Sequence, residues 1–562
     1  MQARTSENNM TMNVTNRINA AASALFRGLC TLSVLVLSQS MPAADAPLKT
    51  LPGHVPEVAR RLSAKGNLPA TNRLNLALGL PLRDAKGVDD FLAQIYDPAS
   101  PNYHQYLTPE QFTARFGPTE ADYAAVTAFA RRNNLTVTAT HANRLLLDVS
   151  GSVEDIQKAF HVTLRTYDHP AEAREFYAPD TEPTVDASLA ISDISGLNNY
   201  VLPHPKSLRK DSSPSTKAIP KTGSASGGTY IGHDFRAAYV PDTTLTGSGQ
   251  MVGLLEFDGY YASDIAAYET TAGYSSVPLQ TVLLDSYNGT PTTGPDSGNG
   301  EVSLDIEMAV AMAPGLSKIV VFEAGPSGLQ NDILNAMAAS NQIKQLSCSW
   351  GWGGGPSTTT DTIFKEIAAQ GQSFFNASGD SDAFTVGSSS ANGVDNTSLD
   401  NAPSSCPYIT VVGGTTLSTS GAGGSWSSET TWNWGLHNGS YVGTSGGVSS
   451  YYSIPSWQAG ISMSANGGST TYRNIPDVAL TADNVYVAYG DGESATFGGT
   501  SCAAPLWAAL VALMNQQAAS TGASAPGFIN PAIYTLGKGA SYSSSFHDIT
   551  TGNNISSSSP NN

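Results

Sequence analysis

Lys318-Ile319-Val320-Val321-Phe322, Gln345-Leu346-Ser347-Cys348-Ser349 and Ser373-Phe374-Phe375-Asn376-Ala377 are short, largely apolar runs separated by the helical stretches Asp332 to Ala339 and Asp361 to Ala369. The same alternation begins upstream with Met251 to Leu255 and the helical stretch Glu301 to Ala313. Apolar strands alternating with helices predict an α/β fold, a parallel sheet with helices on its faces. Ligands of such sheets bind beyond the carboxyl ends of the strands. Residues near those ends are therefore the first place to seek chemistry.

Three segments carry it. Gly498-Gly499-Thr500-Ser501-Cys502-Ala503-Ala504-Pro505 runs into the apolar helix Leu506 to Met514. Paired glycines permit a tight turn, and a serine at a helix start lies beside free N–H groups at the positive end of the macrodipole. Both suit a nucleophile whose reaction makes an oxyanion, although the local pattern fits a helix cap equally well. Glu301 and Asp305 lie four apart and share one helix face. Their apolar neighbours predict burial, and a buried carboxyl pair shares a proton and splits its apparent pKa values, as general acid/base work in acid requires. Asp380, in Ala377-Ser378-Gly379-Asp380, follows a strand; it is either a turn former or, when protonated, a donor to an oxyanion.

Charge narrows the function further. From Thr229 onward six bases (Arg236, Lys318, Lys344, Lys365, Arg473, Lys538) face 25 carboxylates, about −19, while the preceding part is nearly neutral. Such a surface repels nucleic acid and anionic lipid and carries few like charges in acid. Arg17 and Arg27 precede the apolar run Leu29 to Leu37, and Ala44-Asp45-Ala46 follows, a signal-peptide pattern too short to span a membrane. The expected product is a secreted monomer without membrane attachment. Beyond the signal, Cys348, Cys406 and Cys502 match no metal spacing, and their pairing stays open.

The expected organisation is a signal peptide over 1–46, an α+β domain over 47–205, a linker over 206–228 and the α/β domain over 229–562. In the first domain Asp89 to Tyr96 reads as an amphipathic helix, Thr108-Pro109-Glu110-Gln111 as a capping box, and Ser152 with Asp155 as another helix start. Leu135 to Thr140, Leu145 to Val149 and Val162 to Tyr167 read as strands. From Pro205 to Gly228 the Lys, Ser, Pro, Thr and Gly composition predicts an exposed, easily cut linker. Other motifs do not fit a catalyst. Gly443-Thr444-Ser445-Gly446-Gly447 matches G-x-S-x-G, but no helix follows it, so a turn is expected. His233, His437 and His547 are expected to be structural or exposed, and Asp477 to be a structural partner.

Taken together, Gly-Thr-Ser501-x-Ala-x-Pro, Glu301-x-x-x-Asp305, Ser378-Gly379-Asp380, Ser349-Trp350-Gly351 and Arg473-x-x-Pro476-Asp477 resemble the sedolisins, serine-carboxyl peptidases of subtilisin-like fold. Tyr106 to Phe112 and Phe116-Gly117-Pro118-Thr119 are similar to the activation domain of pro-kumamolisin. The resemblance implies a zymogen whose ferredoxin-like prosegment is removed by self-cleavage in acid, with protein or peptide substrates. It implies Ser501 as nucleophile, Glu301 as general base, Asp305 as its polarising partner and Asp380 as oxyanion donor. Glu256 and Trp350 match residues that extend the carboxyl network. A structural calcium is implied through Asp548 and the carbonyl of Ile549, although the Gly-rich loop that normally completes the site is not found before Asn562. The leading expectation is an acid endopeptidase; the alternatives are a tripeptidyl exopeptidase of the same chemistry and a non-catalytic secreted binding protein.

Overall fold

A computed structural model describes residues 47–206, 209–210, 221–294, 297–353, 356–383, 394–395, 403, 405–437, 439–463 and 468–555. The expected signal segment and linker residues 207–208 and 211–220 lie outside the described residues.

The expected parallel sheet forms. Its strands are β1 (Met251–Glu256), β2 (Leu279–Leu283), β3 (Lys318–Glu323), β4 (Gln345–Cys348), β5 (Ser373–Ala377), β6 (Thr410–Thr419), β7 (Trp426–Thr431) and β8 (Val478–Thr481). The spatial order is β2-β3-β1-β4-β5-β6, with β7 and β8 both pairing with β6. Every pair is parallel except β6 with β7. The runs read from sequence are its interior strands, where both faces are covered; β2, with exposed Gln280 and Thr281, is the edge.

Helices α1 (Asn299–Met312) and α4 (Thr500–Thr521) pack together on one face, and α2 (Gln330–Ala339) and α3 (Thr358–Ala369) on the other. Helix α1 has no exposed side. Asn299 and all of Glu301–Met312 are buried, the condition of a core helix. Its acids at 301 and 305 consequently have no route to water along their own helix.

The amino-terminal domain centres on Arg73–Gly79 and Leu146–Ser152, the middle of a four-stranded antiparallel sheet flanked by Thr136–Thr140 and Asp193–Ser195. Alternation divides its two faces. Leu76, Leu78, Leu147 and Val149 face helices Glu120–Arg132 and Val153–Phe160, a ferredoxin-like arrangement, whereas Ala77, Leu145 and Leu146 join the core of the larger domain. There Asn143 Nδ2 donates to Asn335 Oδ1 (2.6 Å) and Glu366 Oε2 (2.8 Å). Both expected helix starts form, with a full capping box at Thr108 and Gln111. Helix Glu120–Arg132 is additional to the expected elements, and Thr119 and Asp122 box its start in the same way. Among the described residues no helix is long and apolar enough to cross a membrane.

Candidate active site

Ser501 is the second residue of α4 and is fully buried. The turn before it needs its glycine: a Cβ on Gly498 would stand 2.5 Å from Trp434 Cζ2. Pro505 lacks the N–H that would otherwise bond the Ser501 carbonyl one turn back. The hydroxyl of Ser349 donates to Asp305 Oδ1 at 2.7 Å and lies 3.5 Å from that freed carbonyl. One serine thus ties the nucleophile's helix to the carboxyl pair.

The carboxyls form a buried chain. Glu301, Asp305 and Glu256 are each no more than 1% exposed. Burial pushes Asp305 up to about 8 against hydrogen bonds from Ser349 and Glu256 that favour its charge. Burial also raises Glu256 well above the usual range, the charge of Asp305 adds to this, and the Trp350 indole, donating to Oε2 at 2.7 Å, opposes it. Glu256 and Asp305 interact closely enough that the Asp305 carboxylate is favoured by its neighbour. Glu301 is raised by burial first and by Asp305 second. Among the described residues neither its oxygens nor Ser501 Oγ completes a well-aligned hydrogen bond. The Ser501 and Ser349 hydroxyls still lie near enough to favour its carboxylate. Loose alignment of this kind is common without substrate.

Asp380 follows Gly379, whose φ of 112° lies where side chains are strained. That turn brings Asp380 to the head of α4, where Thr500 donates to Oδ1 from its N–H (2.8 Å) and its hydroxyl (2.9 Å). Its charge is felt by Glu301. The six residues singled out in sequence, Ser501, Glu301, Asp305, Asp380, Glu256 and Trp350, thus share one buried cluster. Ser349 and Thr500 join its parts, and the sequence pattern assigns neither of them a role.

The cleft beside this cluster holds the chain's own linker. His204–Pro205 runs antiparallel to Trp350–Gly351, and Lys206 N–H donates to the Ser349 carbonyl at 2.9 Å. Farther on, Arg209–Lys210 pairs with Gly498 and Phe497. The exposed linker expected from composition is thus corrected at its start, where backbone pairing with a strand edge buries Lys206 to 2% exposure.

Residues 60–200 match the Pro-kumamolisin activation domain family. The chain is 33% identical over 522 residues to kumamolisin of Bacillus sp. (strain MN-32), covering 90% of each. It is 30% identical to sedolisin of Pseudomonas sp. (strain 101), covering 88% of this chain and 84% of the relative. The chain belongs to the sedolisin family of serine-carboxyl peptidases. It is also 24% identical to tripeptidyl-peptidase 1 of Dictyostelium discoideum, over 86% of this chain and 84% of that one. The solved structure of Pseudomonas sedolisin with pseudo-iodotyrostatin matches with a TM-score of 0.51 and 29% identity, over 60% of this chain and 90% of that chain.

This sedolisin-family peptidase sets the other motifs aside. The G-x-S-x-G stretch, expected as a turn, lies instead inside the strand Ser440–Ser453, where the Ser445 N–H donates to the Gly379 carbonyl (2.7 Å) and the Ser445 carbonyl accepts from the Ser378 hydroxyl (2.7 Å). The neighbouring Ser378–Ser381 loop supplies the pairing that extends it. His437 is buried and His547 stacks on Trp426. Asp477 forms a fully buried ion pair with Arg473 at 2.7 Å. Cys348, Cys406 and Cys502 are free and buried. Asp548 lies apart, its Oδ1 accepting from the Tyr542 hydroxyl at 2.9 Å. Among the described residues no three metal-binding side chains gather. Asp548 and the Ile549 carbonyl would supply two of the six or more oxygens of a calcium cage.

Proposed function

We propose that this chain is a secreted, acid-acting endopeptidase, monomeric and made as a zymogen, with a signal peptide over 1–46, a prodomain over 47–205, a linker over 206–228 and a peptidase domain over 229–562. The observation that carries the chemistry is Ser501 at the head of α4 beside the buried Glu301–Asp305–Glu256 chain. Ser501 Oγ attacks the peptide carbonyl and passes its proton to Glu301, which returns it to the leaving amine. Asp305 and Glu256 hold Glu301 in place through the shared proton. Asp380, protonated in acid, donates to the oxyanion beside the N-terminal dipole of α4.

Burial is the largest force raising the carboxyls, and the linker start is paired along the strand edge Ser349–Gly351 beside them. Departure of that strand readmits water and lowers Glu301 toward the range in which a carboxylate is a base in acid. Endopeptidase action is supported by the length of chain the cleft receives. Val201 packs against Gly353, His204 pairs with Gly351, and Arg209 pairs with Gly498. A tripeptidyl site would close off the chain three residues before the cut. Secretion is supported by the acidic peptidase domain and the signal-like amino end.

The test holds the purified precursor at about pH 4, set by ordinary carboxyl pKa values, beside Ser501→Ala. The wild type is expected to shed its prodomain and hydrolyse protein, and the variant to do neither. Equal processing in both, or activity confined to neutral pH, would sink these roles.

A further inference from the structure

We infer that the residue recognised immediately before the cut is lysine, that Lys206 occupies this position in the precursor, and that the first maturation cut falls on its carboxyl side. The inference rests on Ser501 being the nucleophile.

Two anchors fix where the linker crosses that nucleophile. Before it, the Lys206 N–H is held by the carbonyl of Ser349, whose hydroxyl touches the Ser501 carbonyl. After it, Arg209 pairs with Gly498, three residues ahead of Ser501 in sequence. The described linker residues thus flank the nucleophile's segment, Lys206 at Ser349 and Arg209 at Gly498. Among the described residues Lys206 is the last one hydrogen-bonded on the approach side.

Side-chain burial separates Lys206 from its neighbours. Residues 201–205 are half-buried as they enter, whereas Lys206 is 2% exposed. A strand added to a cleft edge takes affinity from its main chain and specificity from pockets that swallow particular side chains. Lysine is almost never fully buried unless its surroundings suit both stem and ammonium. Here the ammonium acts on the buried thiol of Cys348, and the domain around it carries about −19. The register explains the preceding residue as well. Pro205 stands opposite Trp350, between the His204–Gly351 pair and the Lys206 bond to Ser349. That intermediate position turns its nitrogen away from the partner strand, so proline loses no hydrogen bond there. The favoured substrates are accordingly peptides with Pro-Lys before the cut.

The step balances as one hydrolysis. Ser501 Oγ bonds to the Lys206 carbonyl carbon as its proton moves to Glu301. The bond from that carbon to the next nitrogen breaks, and Glu301 returns the proton to the departing amine. Water then adds to the Lys206 ester, again through Glu301, and releases a Lys206 carboxylate and the Ser501 hydroxyl.

The test is a time course of the acidified precursor, read by intact mass and amino-terminal sequencing, for wild type and Lys206→Glu. Peptides of the 201–210 sequence with lysine, glutamate or leucine before the cut are given to the matured enzyme alongside. A first new terminus directly after Lys206, slowed about 100-fold by Lys206→Glu, with the lysine peptide cleaved fastest, is the expected result. The variant's peptidase domain, once released, has the wild-type sequence, so a folding defect would be distinguished from a specificity effect. An initial cut elsewhere, or equal cleavage of the three peptides, overturns the lysine assignment and leaves the peptidase reading intact. No cleavage of precursor or peptide by the wild type overturns both.

Discussion

In the Ser501→Ala precursor, Glu366→Gln is expected to flatten the loss of stability between pH 4 and pH 7. Glu366 is wholly buried on α3, accepting from Asn143 Nδ2 of the prodomain and from Gln370 Nε2 at 3.0 Å. Burial lifts its carboxyl from 4.5 to about 8 against these two donors. The folded pKa is thus raised above the unfolded one, so the group's contribution is fully present below about 4.5 and disappears as the pH rises through about 8. At pH 7 the unfolded chain has released a proton that the folded chain keeps. At about 1.36 kcal/mol per pH unit from 4.5 upward, the difference is about 3 kcal/mol. Glutamine preserves the size and the neutral state. It still accepts from Asn143, and its amide meets Gln370 Oε1, which has no hydrogen-bond partner among the described residues, once the Gln370 amide turns over. Urea unfolding of both proteins at pH 4, 5, 6 and 7 reads the effect: near-equal stability at pH 4 and a variant more stable by about 3 kcal/mol at pH 7. Parallel stability curves would refute proton retention at Glu366.

Ser349→Ala removes the 2.7 Å donor to Asp305 Oδ1. Asp305 then moves further up, kcat/KM falls about 10- to 100-fold, and the acid limb of the pH profile shifts upward; an unmoved limb would show that Ser349 only fills space. Asp380→Asn keeps an acceptor for Thr500 and supplies an N–H donor at every pH. It is expected to retain activity and extend it toward neutral pH, whereas Asp380→Ala loses about 100- to 1000-fold in kcat. Equal loss in both variants would refute the donor role. At the prodomain interface, Asp332 is held up by burial and by Asp148 and Asp285, with His141 bonding Asp148 at 2.8 Å. Protonation favours this contact, so α2 and α3 of the Ser501→Ala precursor should stay protected from hydrogen exchange at pH 4; loss of protection on acidification would contradict it.

Most of the cluster was legible because each member carries a local signature. Ser501 lies between paired glycines and an apolar helix, and Glu301 and Asp305 stand at helical spacing among apolar neighbours. The total burial of α1 turned that spacing into a proton-sharing pair. Ser349 was less legible as a working part. A serine at a strand end has no distinctive pattern, and its two targets, Asp305 and the Ser501 carbonyl, lie 44 and 152 residues away. Glu366 was hidden for the same reason: Asn143, which reaches it, is 223 residues distant and in another domain.

Lys206 shows where composition misleads. Lys, Ser, Pro and Thr without apolar periodicity describe a segment that cannot bury itself, and from that the surface position followed. The same absence of self-structure is what a substrate strand needs, since its main-chain groups must be left for another edge. Composition therefore cannot separate a solvated linker from one held in the cleft of its own enzyme. The distinction depends on the strand edge at Ser349–Gly351 and on covalent attachment, which keeps the linker at high effective concentration beside it. A cut after Lys206 would end that advantage while leaving the prodomain's separate contact with α2 and α3 intact. Pairing of the linker along the strand edge and docking of the prodomain are thus separable, the first sensitive to one peptide bond and the second to the protons held around Asp332 and Glu366.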